Sequence, residues 1–150
     1  MARFRFEVAW AKVSKSRVGV SGDSVELVER PLGGVTLVLA DGQGTGPAAR
    51  RISRMVVMKA VSLLADGSRD GAVARAVQDM LYTARDGRVT ATLALLSADL
   101  QTNTLVVARN TPCPVFVRRG GAVHRLDQDS VIIGSYRHAK PAMEELPLVC

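Results

Sequence analysis

The chain is poor in cysteine and in aromatic rings, and it has no long apolar run. Its two cysteines, Cys113 and Cys150, lie far apart with no export signal, which excludes a disulfide framework and predicts reduced thiols. Aromatic residues make up 4% of the chain, too few for a platform that stacks the bases of a single strand. No uninterrupted apolar stretch approaches the roughly 18 residues that a membrane helix requires. The start, Met1-Ala2-Arg3-Phe4-Arg5-Phe6-Glu7, alternates and lacks a signal peptide's apolar core. These absences predict a cytoplasmic protein without a membrane partner. Acidic residues are outnumbered, 14 against 20 Lys and Arg, for a net charge of +6. That excess suits an anionic partner, but no helix-turn-helix or aromatic ribonucleoprotein signature accompanies it, so no nucleic acid is expected.

What is present is a globular composition. The 150 residues, 47% hydrophobic and 23% charged, predict a single domain over 1–150 with one core. Residues 3–13 alternate, with Phe4, Phe6, Val8 and Trp10 on one side, and predict a half-buried strand. A less regular strand follows at 24–29, then a turn around Pro31, Gly33 and Gly34. Residues 35–40 form a continuous apolar run, which predicts a strand buried on both faces. From Pro47 the period lengthens to three and four. Ile52, Met55, Val56, Ala60 and Leu64 mark a helix over 47–65, and Val73, Val77, Met80 and Leu81 mark another over 70–84. Period two returns at 88–98 and 104–109, and again at 115–119 and 122–126 around Gly120-Gly121, a hairpin signal. Three strands, two helices and further strands predict an α+β fold with a largely antiparallel sheet system.

Chemistry concentrates at Asp41-Gly42-Gln43-Gly44-Thr45-Gly46, between a buried strand and a helix. Glycines there would let backbone amides approach an anion. No Gly-Lys-Ser/Thr follows, however, and an acidic residue leads the loop, against both a Walker loop and a dinucleotide fingerprint. A carboxylate at a strand end, followed by a glycine carbonyl, suits a hard divalent cation such as Mg²⁺ or Mn²⁺. Asp23, one strand earlier, is positioned to add a second carboxylate. The alternative on pattern alone is a plain acidic turn.

Gly22-Asp23-Ser24, Val38-Leu39-Ala40-Asp41-Gly42-Gln43-Gly44-Thr45-Gly46-Pro47 and Ala91-Thr92-Leu93-Ala94-Leu95-Leu96 together resemble the metal-dependent (PPM-type, protein phosphatase 2C-like) serine/threonine phosphatases. The likeness is to their bacterial SpoIIE-like branch, and within it to the small feedback phosphatases of the stressosome. It runs from about Val8 to the C-terminus. The resemblance implies two stacked, mostly antiparallel β-sheets flanked by α-helices, with two metal ions at one end. It implies that Asp41 bridges both ions, that the Gly42 carbonyl binds one, and that Asp23 adds a ligand. The implied activity is hydrolysis of phosphoserine or phosphothreonine by metal-activated water, on an anti-sigma antagonist or a stressosome component. The family pattern carries two further metal aspartates, one in an Asp-Gly beyond Leu146-Pro147-Leu148 and one near the C-terminus. Neither has a match here. The expectation is therefore a domain missing its final quarter, or one that has lost part of its site and binds phosphoprotein without turnover.

The remaining candidates read as structural. His124 and His138 lack the spacing of a zinc site. Asp127 and Asp129 read as a solvated turn, and Met55, Met58 and Met80 as core filler. Cys113 in Asn110-Thr111-Pro112-Cys113-Pro114 reads as inert packing, and with Pro114-Val115-Phe116-Val117-Arg118 after it no Cys-x₅-Arg signature of a cysteine phosphatase is expected. Arg50, Arg51, Arg54 and Lys59 follow the polar face of the first helix. Lys15 and Arg17, ahead of Asp23, are loop charges or neutralisers of a substrate phosphate.

Overall fold

Alternating and helical segments assemble, in a computed structural model that describes residues 4–14 and 19–149, into seven strands and two helices. Strands β1 (Asp23–Glu29) and β2 (Gly34–Gly42) come first, then helices α1 (Gly46–Ala65) and α2 (Asp70–Arg85). Strands β3 (Ala91–Asp99), β4 (Thr104–Asn110), β5 (Val115–Arg119), β6 (Ala122–Leu126) and β7 (Ala142–Pro147) complete the order. Five strands make an antiparallel sheet in the order β1-β2-β3-β4-β7, and β5 and β6 make a second, two-stranded antiparallel sheet. The β5–β6 turn has positive φ at both Gly120 and Gly121, the geometry that matches the twist of a tight hairpin.

One face of the large sheet makes the core. Val38, Ala40, Leu93, Leu95 and Ala108 point to it and are buried under Ile52, Val56, Val57, Ala60 and Leu64 of α1 and Val73, Ala74, Val77 and Leu81 of α2. The helical stripes are those that the period-three-and-four spacing marks, because that spacing keeps them on one side of each cylinder. Pro47 occupies the first turn of α1 behind Thr45 at the N-cap. Asp70 in the first turn of α2 and Arg85 in its last complement the helix dipole.

Four expectations are corrected. Residues 35–40 are not buried on both sides: Leu39 is 49% exposed and Leu37 half-buried, because both helices pack on the opposite face. Residues 4–14 form no strand despite their alternation, and Trp10 is 52% exposed; among the described residues only two strands precede the helices. Met58 is exposed, while Met55 and Met80 do pack against the core. Finally, residues 142–147 add an edge strand, β7, that no periodicity announced.

A buried polar cluster ties the end of the sheet opposite Asp41 together. Arg30, just after β1, reaches the carboxylate of Asp70 at 3.0 Å and that of Asp99 at 3.5 Å. The hydroxyls of Thr36 and Ser97 meet at 2.7 Å, and Ser97 also donates to Asp70. Asp70 is 4% exposed, so its carboxylate is a structural ion as well as a helix-start residue.

Candidate metal centre

Asp23 opens β1 and Asp41 stands one residue from the end of β2, and the two are direct partners in the antiparallel register. Partners of this kind hold their Cα atoms about 4.5–5.5 Å apart with side chains on the same face. Thr92 of β3 pairs with Asp41 from the other side, and its hydroxyl accepts a hydrogen bond from the Asp41 amide at 3.2 Å. Ser21 accepts from the Asp23 amide at 3.2 Å, and the Lys12 ammonium donates to the Asp23 carbonyl at 3.3 Å.

The loop beyond Asp41 is fixed from two sides. Gln43 donates its amide to the Thr90 carbonyl at 2.9 Å and accepts from the Thr90 amide through its side chain at 2.8 Å. Gly42 lies against α1 so closely that a β-carbon on it would stand 2.1 Å from the Ala49 carbonyl oxygen. Only glycine fits there, and the same approach brings the start of α1 onto the aspartates. A methyl group on Gly22 would lie 3.7 Å from Asp41 Oδ1 and 3.9 Å from the Gly42 carbonyl oxygen. A carboxylate oxygen and a main-chain oxygen therefore converge on one small space. Beside these two oxygens lies a cavity of about 160 Å³ lined by Asp23, Asp41, Ser21, Gly22 and the Gly44-Thr45-Gly46 turn, with Gly42 outside its lining. A larger apolar cleft of about 730 Å³, bordered by Trp10, Val25, Leu39 and Cys113, opens from the same two aspartates along the sheet.

Two carboxylates and a carbonyl are hard oxygen donors, and they fit the class of ion that Mg²⁺ and Mn²⁺ represent. The set is small. Among the described residues no group of three or more His, Cys, Asp or Glu side chains comes together to hold a metal. Asp127 and Asp129 stay exposed and away from this site, Asp127 paired with Arg125 at 2.9 Å. His124 and His138 are exposed. Lys15, Arg17 and Cys150 lie outside the described residues.

Cys113 is exposed instead of packed. Counted from it, Arg119 stands six positions on, so the Cys-x₅-Arg spacing of a cysteine phosphatase is present after all. The fold removes its meaning: Val115–Arg119 is a strand, about 13 Å of extended backbone, and Arg119 donates to the Pro147 carbonyl. Sequence reasoning also missed Arg109, which is 1% exposed and donates at 3.0 Å to the carbonyls of Thr111 and Cys113. Its guanidinium fixes the loop at the mouth of the apolar cleft, and its place within an alternating strand gave no sign of that.

The sequence matches the family described as Stage II sporulation protein E (SpoIIE) over residues 31–149. The Stage II sporulation protein E of Priestia megaterium is 25% identical over 124 residues, which cover 83% of this chain; the chain spans 21% of that protein's length. The PP2C phosphatase domain of SpoIIE from Bacillus subtilis superimposes with a TM-score of 0.73 at 22% identity, covering 93% of this chain and 40% of that one. RsbX, solved in complex with magnesium, gives a TM-score of 0.75 at 13% identity over 91% of this chain and 65% of its own. The serine/threonine phosphatase Stp1 from Staphylococcus aureus gives 0.73 at 13% identity, with 89% and 68% covered. On these matches the chain belongs to the SpoIIE family, and it has the fold of the PP2C-type serine/threonine phosphatases.

Proposed function

We propose that the chain acts as a metal-dependent protein serine/threonine phosphatase on a phosphorylated bacterial signalling protein, an anti-sigma antagonist or a stressosome component. The observation that carries the reading is the register of Asp23 against Asp41, with an Asp41 carboxylate oxygen and the Gly42 carbonyl oxygen both beside Gly22. Family membership supports it, as does the magnesium found with RsbX. Asp23 and Asp41 through their carboxylates, and Gly42 through its carbonyl, are the residues that would hold Mg²⁺ or Mn²⁺. Such ions, when bound, supply an activated water and neutralise charge on the phosphoryl group. The chain's own part is to keep the two carboxylates at fixed separation on adjacent strands, and to pin the loop after Asp41 through Gln43 and Thr90 so that the main-chain oxygen stays turned inward.

A second reading is a non-catalytic module of the same fold that binds phosphoprotein without turnover. The small donor set favours it, because affinity for a hard cation falls as anionic ligands are lost. Phosphate release from a phosphoserine peptide at saturating Mn²⁺, by the chain and its Asp41→Asn variant, separates the two. Release that disappears in the variant supports the phosphatase. Equal release from both overturns the metal mechanism, and peptide binding without release selects the binding module.

A further inference from the structure

Helix α1 is charged against its own dipole. Its 20 residues include no Asp or Glu, with no acidic residue in the first turn and no basic one in the last. Arg50, Arg51 and Arg54 instead crowd its N-terminal half, the end where the macrodipole is positive. Helix α2 shows the ordinary arrangement, Asp70 first and Arg85 last. At about 100° per residue the three arginines lie within one arc of the helix surface. Arg51 and Arg54 are exposed and Arg50 half-buried. Among the described residues, none of the three is in an ion pair, even with Glu26 of the adjacent β1, whereas Arg5, Arg30 and Arg125 each have a carboxylate partner. No ion pair among the described residues neutralises the three.

The arginines follow in sequence on the residue that packs against the candidate metal centre, and they turn from there to the outer face of α1. Ala49, the residue before Arg50, is the one whose carbonyl packs on Gly42 and whose side chain abuts Gly22. An anionic segment leaving the aspartates over the N-terminus of α1 and onto its outer face would meet Arg50, Arg51 and Arg54 within the first turns of the helix.

We propose that these three arginines are a docking strip for a protein segment rich in Asp and Glu that flanks the phosphorylated residue. The inference rests on the phosphatase reading for the identity of the residue at the metal centre, and adds the chemistry of its neighbours. Charge complementarity selects the occupant, since exposed charges of one sign steer an oppositely charged partner and set its register. The strip is only two turns long, with Met58 as its exposed continuation and no aromatic residue within α1, which favours an acidic peptide over a nucleic acid.

The test is fluorescence anisotropy with two labelled phosphoserine peptides, one flanked by glutamates and the other by glutamines. The chain should prefer the glutamate peptide by about tenfold at low salt, and high salt should erase the preference. Arg51→Glu/Arg54→Glu should abolish the preference, Arg51→Lys/Arg54→Lys should keep it, and all should hydrolyse p-nitrophenyl phosphate alike. Arg51→Gln/Arg54→Gln serves if the charge reversal does not fold. Equal binding of the two peptides, or a preference that survives reversal, overturns the strip, as does tighter binding of a single-stranded oligonucleotide that displaces the acidic peptide. A persisting preference with no p-nitrophenyl phosphate turnover sinks the phosphatase reading and leaves the strip. Turnover with no preference does the reverse.

Discussion

The hydroxyls of Ser24 and Ser53 meet at 2.8 Å between β1 and α1, one residue from Asp23. Ser53 donates onward to the Arg50 carbonyl at 3.2 Å, which leaves Ser24 as the donor to Ser53. This buried pair fixes the helix that closes the site to the strand that carries one of its aspartates. Ser53→Ala removes the acceptor and strands the Ser24 hydroxyl, a loss of about 1–3 kcal/mol. Replacing both serines by alanine should recover most of that loss. Urea midpoints of the single and double variants check it, and an additive double variant would show that the two hydroxyls are not coupled.

Gly42→Ala should disturb the candidate metal centre as well as the fold, and Gly44→Ala the fold alone. The first places a carbon against the Ala49 carbonyl at 2.1 Å and forces α1 off β2, an overpacking cost of about 1–3 kcal/mol or more. At Gly44 the added carbon meets nothing within 4 Å, and only its φ of +91° resists, a strain of about 1–3 kcal/mol. Mn²⁺ affinity and thermal midpoint should fall together in the first variant, while the second should lower the midpoint alone.

Metal binding gives the direct test of the aspartates. Titration calorimetry should find weak Mn²⁺ or Mg²⁺ binding to the chain, and Asp41→Asn or Asp23→Asn should reduce it on the order of tenfold or more. Circular dichroism should be unchanged, because both residues stand at strand ends outside the core. Undiminished affinity in both variants would place the ion elsewhere.

At the far end of the sheet, Arg30→Met should destabilise by about 3–5 kcal/mol, since it leaves Asp70 and Asp99 buried without their cation. Arg30→Met with Asp70→Leu and Asp99→Leu should restore much of the loss. Guanidinium midpoints report both, and a triple variant no better than the single would assign the cost to packing instead of charge.

The strands that sequence resolved are those whose pattern ends in a marker. Residues 35–40 run apolar and stop at Asp41-Gly42, and the helices begin at Pro47 and near Asp70, so their bounds emerged within a residue or so. Residues 4–14 carry as clear an alternation but pair with no strand, and alternation registers a face without stating that a ladder partner exists. Strand β7 stayed hidden for the opposite reason. Glu144, Glu145 and Pro147 interrupt any apolar pattern there, yet they suit an edge, where a proline costs no central hydrogen bond and charge deters further pairing. At the site, Asp23 and Asp41 were legible because each closes a short motif. The Arg30–Asp70–Asp99 cluster was not, because its members come from three separate places in the chain and meet only through the sheet.

The strand order also sets a sequence of events in folding. Strands β1 and β2 form a hairpin about a short turn, as do β3 and β4, whereas the seam between β2 and β3 joins residues that lie far apart along the chain, Asp41 to Thr92 at its nearer end and Gly34 to Asp99 at its farther one. Local closure is fast and distant closure is slow. The two aspartates should therefore meet inside the β1–β2 hairpin before the β2–β3 seam closes and brings the threonine that steadies Asp41. Acidic repulsion between Asp23 and Asp41 is borne by the early hairpin alone, so divalent cations present during refolding should speed its formation as well as occupy the finished protein.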